Sequence, residues 1–228
     1  MAVRVLLVGA ALASVAVLSS AVLGLHPGNR AGRALPTPRS AAPSAITGGG
    51  TLQPGVWRVA SGSWVGYAFG ETSVLGTSTL SGRTSGVKGQ VTVATAPGGL
   101  SLSGSTFTAD LTTLSSGDPL VDQQVQNALG TSRYASARFD QATPVLLPSS
   151  AALQAGVTVT VSGTIMVRGV TRAVAVPLRV VFANGHLSVV GSVPFRLSDF
   201  GIDRSALGGL VTLRDEASLD LSLVLAHP

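Results

Sequence analysis

With 228 residues the chain has room for one or two domains, and 45% hydrophobic against 11% charged residues points to a large buried surface. The absence of cysteine excludes disulfides, thiolate chemistry, Cys-based zinc sites and lipoprotein anchoring through an N-terminal Cys. The net charge of +5 does not describe a nucleic-acid binder. Of the 15 basic residues, Arg4, Arg30, Arg33 and Arg39 precede residue 51 and leave 11 against all 10 acidic residues, whereas a nucleic-acid module concentrates excess charge on its folded part.

Residues 5–25 are 21 consecutive uncharged positions behind Arg4. As a helix they would span about 31 Å, enough for a hydrocarbon core of ~30 Å. The run reads as a transmembrane signal anchor or as a signal peptide cleaved near Ser19-Ser20-Ala21, its length favouring the anchor. Arginines on both sides leave its orientation open. Residues 26–52, rich in Pro, Gly, Ser and Ala, carry no apolar periodicity and read as a linker with an r.m.s. span of ~30 Å.

From residue 53 to 228 the text is strand and turn. Val56–Val59 opens it, and Val65, Tyr67 and Phe69 share one face of the next strand. Val87, Val91 and Val93 follow, then a turn at Ala96-Pro97-Gly98-Gly99. The strand from Leu100 to Leu111 contains Gly104, the mark of a bulge or kink. Residues 119–129 form the one predicted helix. Asp118 suits the N-cap, Pro119 the first turn and Gly130 the C-terminal cap, with Leu120, Val121, Val125, Ala128 and Leu129 as the apolar face. Strands are predicted at 133–139, 157–167, 170–182 and 187–197, with Asn184-Gly185 as a hairpin turn.

The final stretch alternates in one phase from Val211 through Leu213, Asp215, Ala217, Leu219, Leu221 and Leu223 to Leu225. A straight strand of that length would reach about 50 Å, so a bend or bulge is expected near Asp215-Glu216, as a curved wall requires. The pattern as a whole predicts an antiparallel all-β fold, either a sandwich or a closed barrel.

Chemistry is hard to find in this text. His26, His186 and His227 are isolated from one another in sequence, with no metal-ligand spacing and no catalytic motif. There is no nucleophile elbow and no phosphate loop. Asp199 and Asp203 sit at a polar corner where turn and capping roles are the ordinary use of aspartate. The residues point to a protein that is not an enzyme, without catalytic residues, metal or cofactor. What remains is an apolar interior, with all ten aromatic residues between Trp57 and Phe200.

Several spaced motifs resemble those of the YceI-like family. Phe195 to Ile202 followed by Gly208-Gly209 looks like its closing segment, and Val161 to Arg172, with the turn Gly169-Val170-Thr171, like its central hairpin. Trp57-x-Val59, Gly62-Ser63-x-Val65-x-Tyr67 and Gly82-Arg83-Thr84-x-x-Val87-x-Gly89 add weaker matches upstream. The resemblance implies an eight-stranded, lipocalin-like antiparallel barrel with one short helix, whose apolar interior holds a polyisoprenoid chain. The cavity liners it suggests, with size and strand phase, are Val65, Tyr67, Phe69, Phe107, Phe139, Ile165, Val174, Val176, Phe195, Phe200 and Ile202. One departure stands out. Where many relatives carry Arg-Asp before the short helix, this chain has Val121-Asp122, and that end reads as a greasy lid.

The expected function is therefore binding or carriage of an isoprenoid lipid, a quinone or polyprenol, by a barrel held at the extracytoplasmic face of a membrane through residues 5–25. The alternative is an envelope protein whose barrel is filled by its own side chains.

Overall fold

In a computed structural model the described residues are 50–73, 76–203 and 212–228, all within the unit Ala45–Pro228. The apolar segment 5–25 and the linker up to residue 49 lie outside them. Among the described residues no helix is long and apolar enough to cross a membrane.

The alternation read from the sequence becomes eleven strands: β1 (Gly55–Val59), β2 (Trp64–Ser73), β3 (Gly76–Thr84), β4 (Val87–Ala96), β5 (Gly99–Asp110), β6 (Ser136–Gln141), β7 (Val145–Leu147), β8 (Val157–Val167), β9 (Val170–Ala183), β10 (His186–Arg196) and β11 (Thr212–Ala226). Every pairing between them is antiparallel, in the order β1-β4-β5-β6-β8-β9-β10-β11, and β11 closes the ring by pairing with β1. β2 continues β1 along β11, and β3 runs into β4 along the other side of β1 and β2. The barrel therefore has eight staves, two of them broken; β7 is a short addition on β5.

The breaks have local causes. Between β1 and β2 the Ser63 hydroxyl takes the place of ladder groups, donating to the Ala60 carbonyl (2.8 Å) and accepting from the Val224 amide (2.9 Å). β11 shifts register between Leu213 and Ala217, at the expected bend. β5 shifts against β4 between Gln90 and Thr92, where Gly104 adopts φ 60°. This bulge flips the phase of β5, so that Leu102 before it and Ser105, Phe107 and Ala109 after it all face inward.

α1 (Pro119–Leu129) has the expected bounds. The Asp118 carboxylate accepts from the Leu120 amide (2.9 Å), and Gly130 closes the helix in the left-handed region. Its inward face is narrower than expected: Val125 and Ala128 are buried, but Leu120 is 68% exposed and faces solvent. A second helix, α2 (Ser150–Ala155), was not anticipated and buries Leu153 against the opposite end of the barrel. Two 3-10 turns, Leu111–Thr113 and Leu197–Phe200, are the other helical elements among the described residues. Two further boundaries differ from expectation. β6 starts at Ser136 because 131–133 form a turn that completes the helix exit and 134–135 are irregular. Leu52, placed in the linker by composition, is 1% exposed and belongs to the core.

Candidate lipid-binding cavity

One end of the barrel is closed by its own side chains. Leu52, Trp57, Leu102, Leu147, Leu153, Phe182 and Leu187 are packed there with the valines of β4 and β9. The indole of Trp57 meets Phe182 edge-on at 6.0 Å and donates from Nε1 to the Gln53 carbonyl. The other end is covered by α1 and the turn Leu197–Phe200, through Val125, Ala128, Leu197, Phe200 and Ile202.

Within the wall lies a cavity of about 420 Å³ whose surface is overwhelmingly apolar. All eleven residues singled out from the sequence, Val65, Tyr67, Phe69, Phe107, Phe139, Ile165, Val174, Val176, Phe195, Phe200 and Ile202, line it. Phe200 and Ile202, on a corner otherwise made of Ser, Asp and Gly, turn inward and are only 4% and 6% exposed. They are held by a short relay. The Asp215 carboxylate at the β11 bulge accepts from the Ser198 amide and hydroxyl, and the Gly201 amide bonds back to the Ser198 carbonyl.

The aromatic rings are arranged along the wall rather than across the lumen. Tyr67 and Phe69 are stacked at 5.3 Å, and Phe195 meets Phe200 edge-on at 5.8 Å. Three of the rings lie over glycines of the next strand. A Cβ at Gly82 would come within 2.6 Å of the Tyr67 hydroxyl, one at Gly89 within 2.6 Å of the Phe107 ring, and one at Gly163 within 2.6 Å of the Phe139 ring. With no side chain beneath them, the rings settle onto the backbone and leave the centre open.

Sequence reasoning missed a second set of liners. Leu219, Leu221, Leu223 and Leu225 of β11 face the cavity, in the single phase already visible in the text. Arg172 and Asp199 are also on the wall, near one another: the Arg172 Nε donates to the Asp199 carbonyl (3.1 Å). Their signal is weaker. Arg172 shares the inward phase of Val174 and Val176, an unusual place for a charge.

Polar groups in and around the lumen are held rather than poised. Burial, with the charge of Asp122 adding to it, pushes the Tyr67 hydroxyl up to about 12. Hydrogen bonds from the Ser116 hydroxyl and amide, then from Ser115, hold the Asp122 carboxyl below the usual carboxylate range. Asp122 thus pins the loop before α1. Thr112 does the same for Asp110, and Arg138 for Asp140. Among the described residues no three His, Asp or Glu come together as metal ligands. The arrangement suits holding an apolar chain.

Comparison with known proteins agrees with the architecture. No curated protein matches the sequence. Among solved structures, a polyisoprenoid binding domain from Saccharophagus degradans, implicated in plant cell wall breakdown, aligns with TM-score 0.58 at 16% identity, over 77% of this chain and 100% of that one. BcnA of Burkholderia cenocepacia aligns at 0.53 and 18% identity, over 71% and 95%. A Campylobacter jejuni YceI protein aligns at 0.51 and 12%, over 66% and 86%. Identities this low speak to the fold alone. The sequence itself goes further, because the profile of the YceI-like domain matches residues 57–225, from the Trp57 that closes one end to the Leu225 that seals the barrel. The chain belongs to the YceI-like family.

Proposed function

We propose that the barrel binds or carries an isoprenoid-type lipid, a quinone or a polyprenol, in its lumen, without catalysing a reaction. The observation that carries this reading is the open apolar cavity of about 420 Å³, within the ~300–1,000 Å³ range of small-molecule sites. At ~24 cal/mol per Å³, a sealed hole of this size would cost as an upper figure ~10 kcal/mol, comparable with the whole stability of a domain. Side chains large enough to fill it are present on the wall and are laid flat over glycines instead. A prenyl chain offsets that cost, since each buried methylene contributes ~0.8 kcal/mol without any polar partner. The S. degradans relative described as a polyisoprenoid binding domain supports the same ligand class. The rival reading, an envelope protein with a self-filled barrel, sits poorly with a lumen that its own residues leave open.

In this reading residues 5–25 hold the protein to a membrane, with the barrel on the extracytoplasmic face and the linker giving it reach. The test is native mass spectrometry of the full chain purified from its own host, followed by organic extraction. A prenyl lipid at about one per chain is expected. Preparations that are consistently lipid-free and take up no added polyprenol would sink the proposal.

A further inference from the structure

Two strands of the wall are paired along their whole length: β8 with β9 from Val157↔Val180 to Val167↔Val170, and β10 with β11 from His186↔Ala226 to Arg196↔Glu216. Between them, β9 and β10 are paired only from His186↔Ala183 to Gly191↔Leu178. Continued in that register, Pro177 would face Ser192 and Ala175 would face Pro194. Neither proline has an N–H to give. The β8–β9 ladder passes unbroken through Pro177, and the β10–β11 ladder through Pro194. Each missing donor therefore falls on the edge that faces the other strand, where a sheet tolerates proline. The two positions are successive donor rungs of one ladder, and there the ladder stops.

The cavity reaches the surface at the same place. Five residues of its wall are exposed, and four of them, Arg172, Ala173, Pro194 and Asp199, border this seam. Ala173 and Pro194 belong to the outward phase of their strands, opposite to Val174 and Phe195; Thr108 and Arg138 do the same on the paired β5–β6 ladder, but Ala173 and Pro194 lie beyond the last β9–β10 rung. In place of a ladder the seam is bridged by arginine side chains: Arg172 donates to the Asp199 carbonyl and Arg168 to the Gly201 carbonyl. Arg168 holds its bond from a left-handed backbone position (φ 52°) that only a tight turn imposes on such a residue.

We infer that this seam is a lateral portal, through which the apolar chain of a lipid enters broadside while its polar head stays outside, beside Arg172 and Asp199. The inference rests on the lipid-binding reading above. Axial entry, tail first, would have to displace α1 and the turn Leu197–Phe200 that cover the less packed end; lateral entry requires only that two side-chain bonds yield. The portal makes the site strict about the girth of the chain and permissive about the bulk of the head.

The cysteine-free chain allows a direct test. Ala175→Cys with Pro194→Cys puts thiols at the two positions that the continued register sets opposite; a disulfide between them draws the Cα atoms to ~4.4–6.8 Å and so locks the seam shut. The probe is geranylgeraniol carrying a dansyl head, added to the full-length protein. Uptake should be about tenfold or more slower in the oxidised than in the reduced form of the same protein, as for a gated site whose gate is held shut. A control pair on a continuous ladder, Val190→Cys with Ser222→Cys, should show no difference on oxidation. Pro177→Val with Pro194→Val, which restores both donors, should slow uptake without any disulfide. Equal rates in the oxidised and reduced seam variant, with the valine variant matching the parent, would overturn the portal. A parent that takes up no probe would overturn the lipid-binding reading itself, and the portal with it.

Discussion

The two ends of the barrel use the same residue types to opposite effect. At the closed end, Trp57 and Phe182 meet edge-on, and Leu52, Leu153 and Leu187 are packed around them. Along the lumen, Tyr67, Phe107 and Phe139 lie over Gly82, Gly89 and Gly163 and leave about 420 Å³ unfilled. Composition does not separate these regions. At Gly82, Gly89 and Gly163 a Cβ would come within 2.6 Å of the ring, so each ring lies flat on the backbone and becomes wall, whereas Phe182 stands 3.7 Å from the Cβ position of Gly50 and packs against Trp57. Stability should therefore reside at the closed end and binding in the lumen.

The largest expected effect tests the closed end. Trp57→Ala removes a buried ring from a region that cannot collapse, and should cost about 3–5 kcal/mol in denaturant unfolding. Lipid retained per folded molecule should stay unchanged. Next comes Gly163→Val, whose Cβ would meet the Asp140 carbonyl at 2.4 Å and push the Phe139 ring into the lumen. A stability loss of about 1–3 kcal/mol is expected, with lipid content falling much further than unfolding explains. Phe200→Ala should lie below the ~3–5 kcal/mol of a ring packed on all sides, at about 2 kcal/mol, because one face borders the cavity. Its lipid content should drop more than its melting temperature. If both fall together as in Trp57→Ala, the two ends are alike and the comparison fails.

The smallest effect concerns pH. Tyr67 is pushed up to about 12 from its ordinary value of 10.0, so above pH ~10 the folded state keeps a proton that the unfolded chain releases. Stability from this group is full below pH ~10 and declines as pH rises towards ~12. Tyr67→Phe should flatten that alkaline decline, as read from unfolding midpoints across the interval.

Much of this was legible in the text, for reasons that differ by element. β8 was read to the residue because Val157 to Val167 alternates cleanly, and the β11 bulge was foreseen because a fifteen-residue strand has to bend. α1 announced itself through Asp118, Pro119 and Gly130. β3 was not seen as a strand: Gly76–Thr84 is Gly, Ser and Thr with Arg83 and one large apolar residue, Leu80, and its pairing is imposed by β2. α2 is too short, at six residues, to show a period. The eleven cavity residues could be named from phase, size and motif: strand phase turns nine of them inward, and Phe200 and Ile202 stand out as large apolar groups on a polar corner. The seam could not, because two prolines seventeen positions apart mean nothing until the register places them on adjacent rungs.

The most direct test of the central claim compares thermal unfolding of the full chain and of Gly163→Val, each with and without a long-chain polyprenol. A ligand that binds only the folded state stabilises it by RT ln(1 + [L]/Kd), about 2.7 kcal/mol at a hundredfold excess over Kd. A concentration-dependent rise in Tm for the parent, lost or nearly lost in Gly163→Val, is the predicted result. No rise in the parent, or an equal rise in both, would contradict a lumen kept open for an apolar chain.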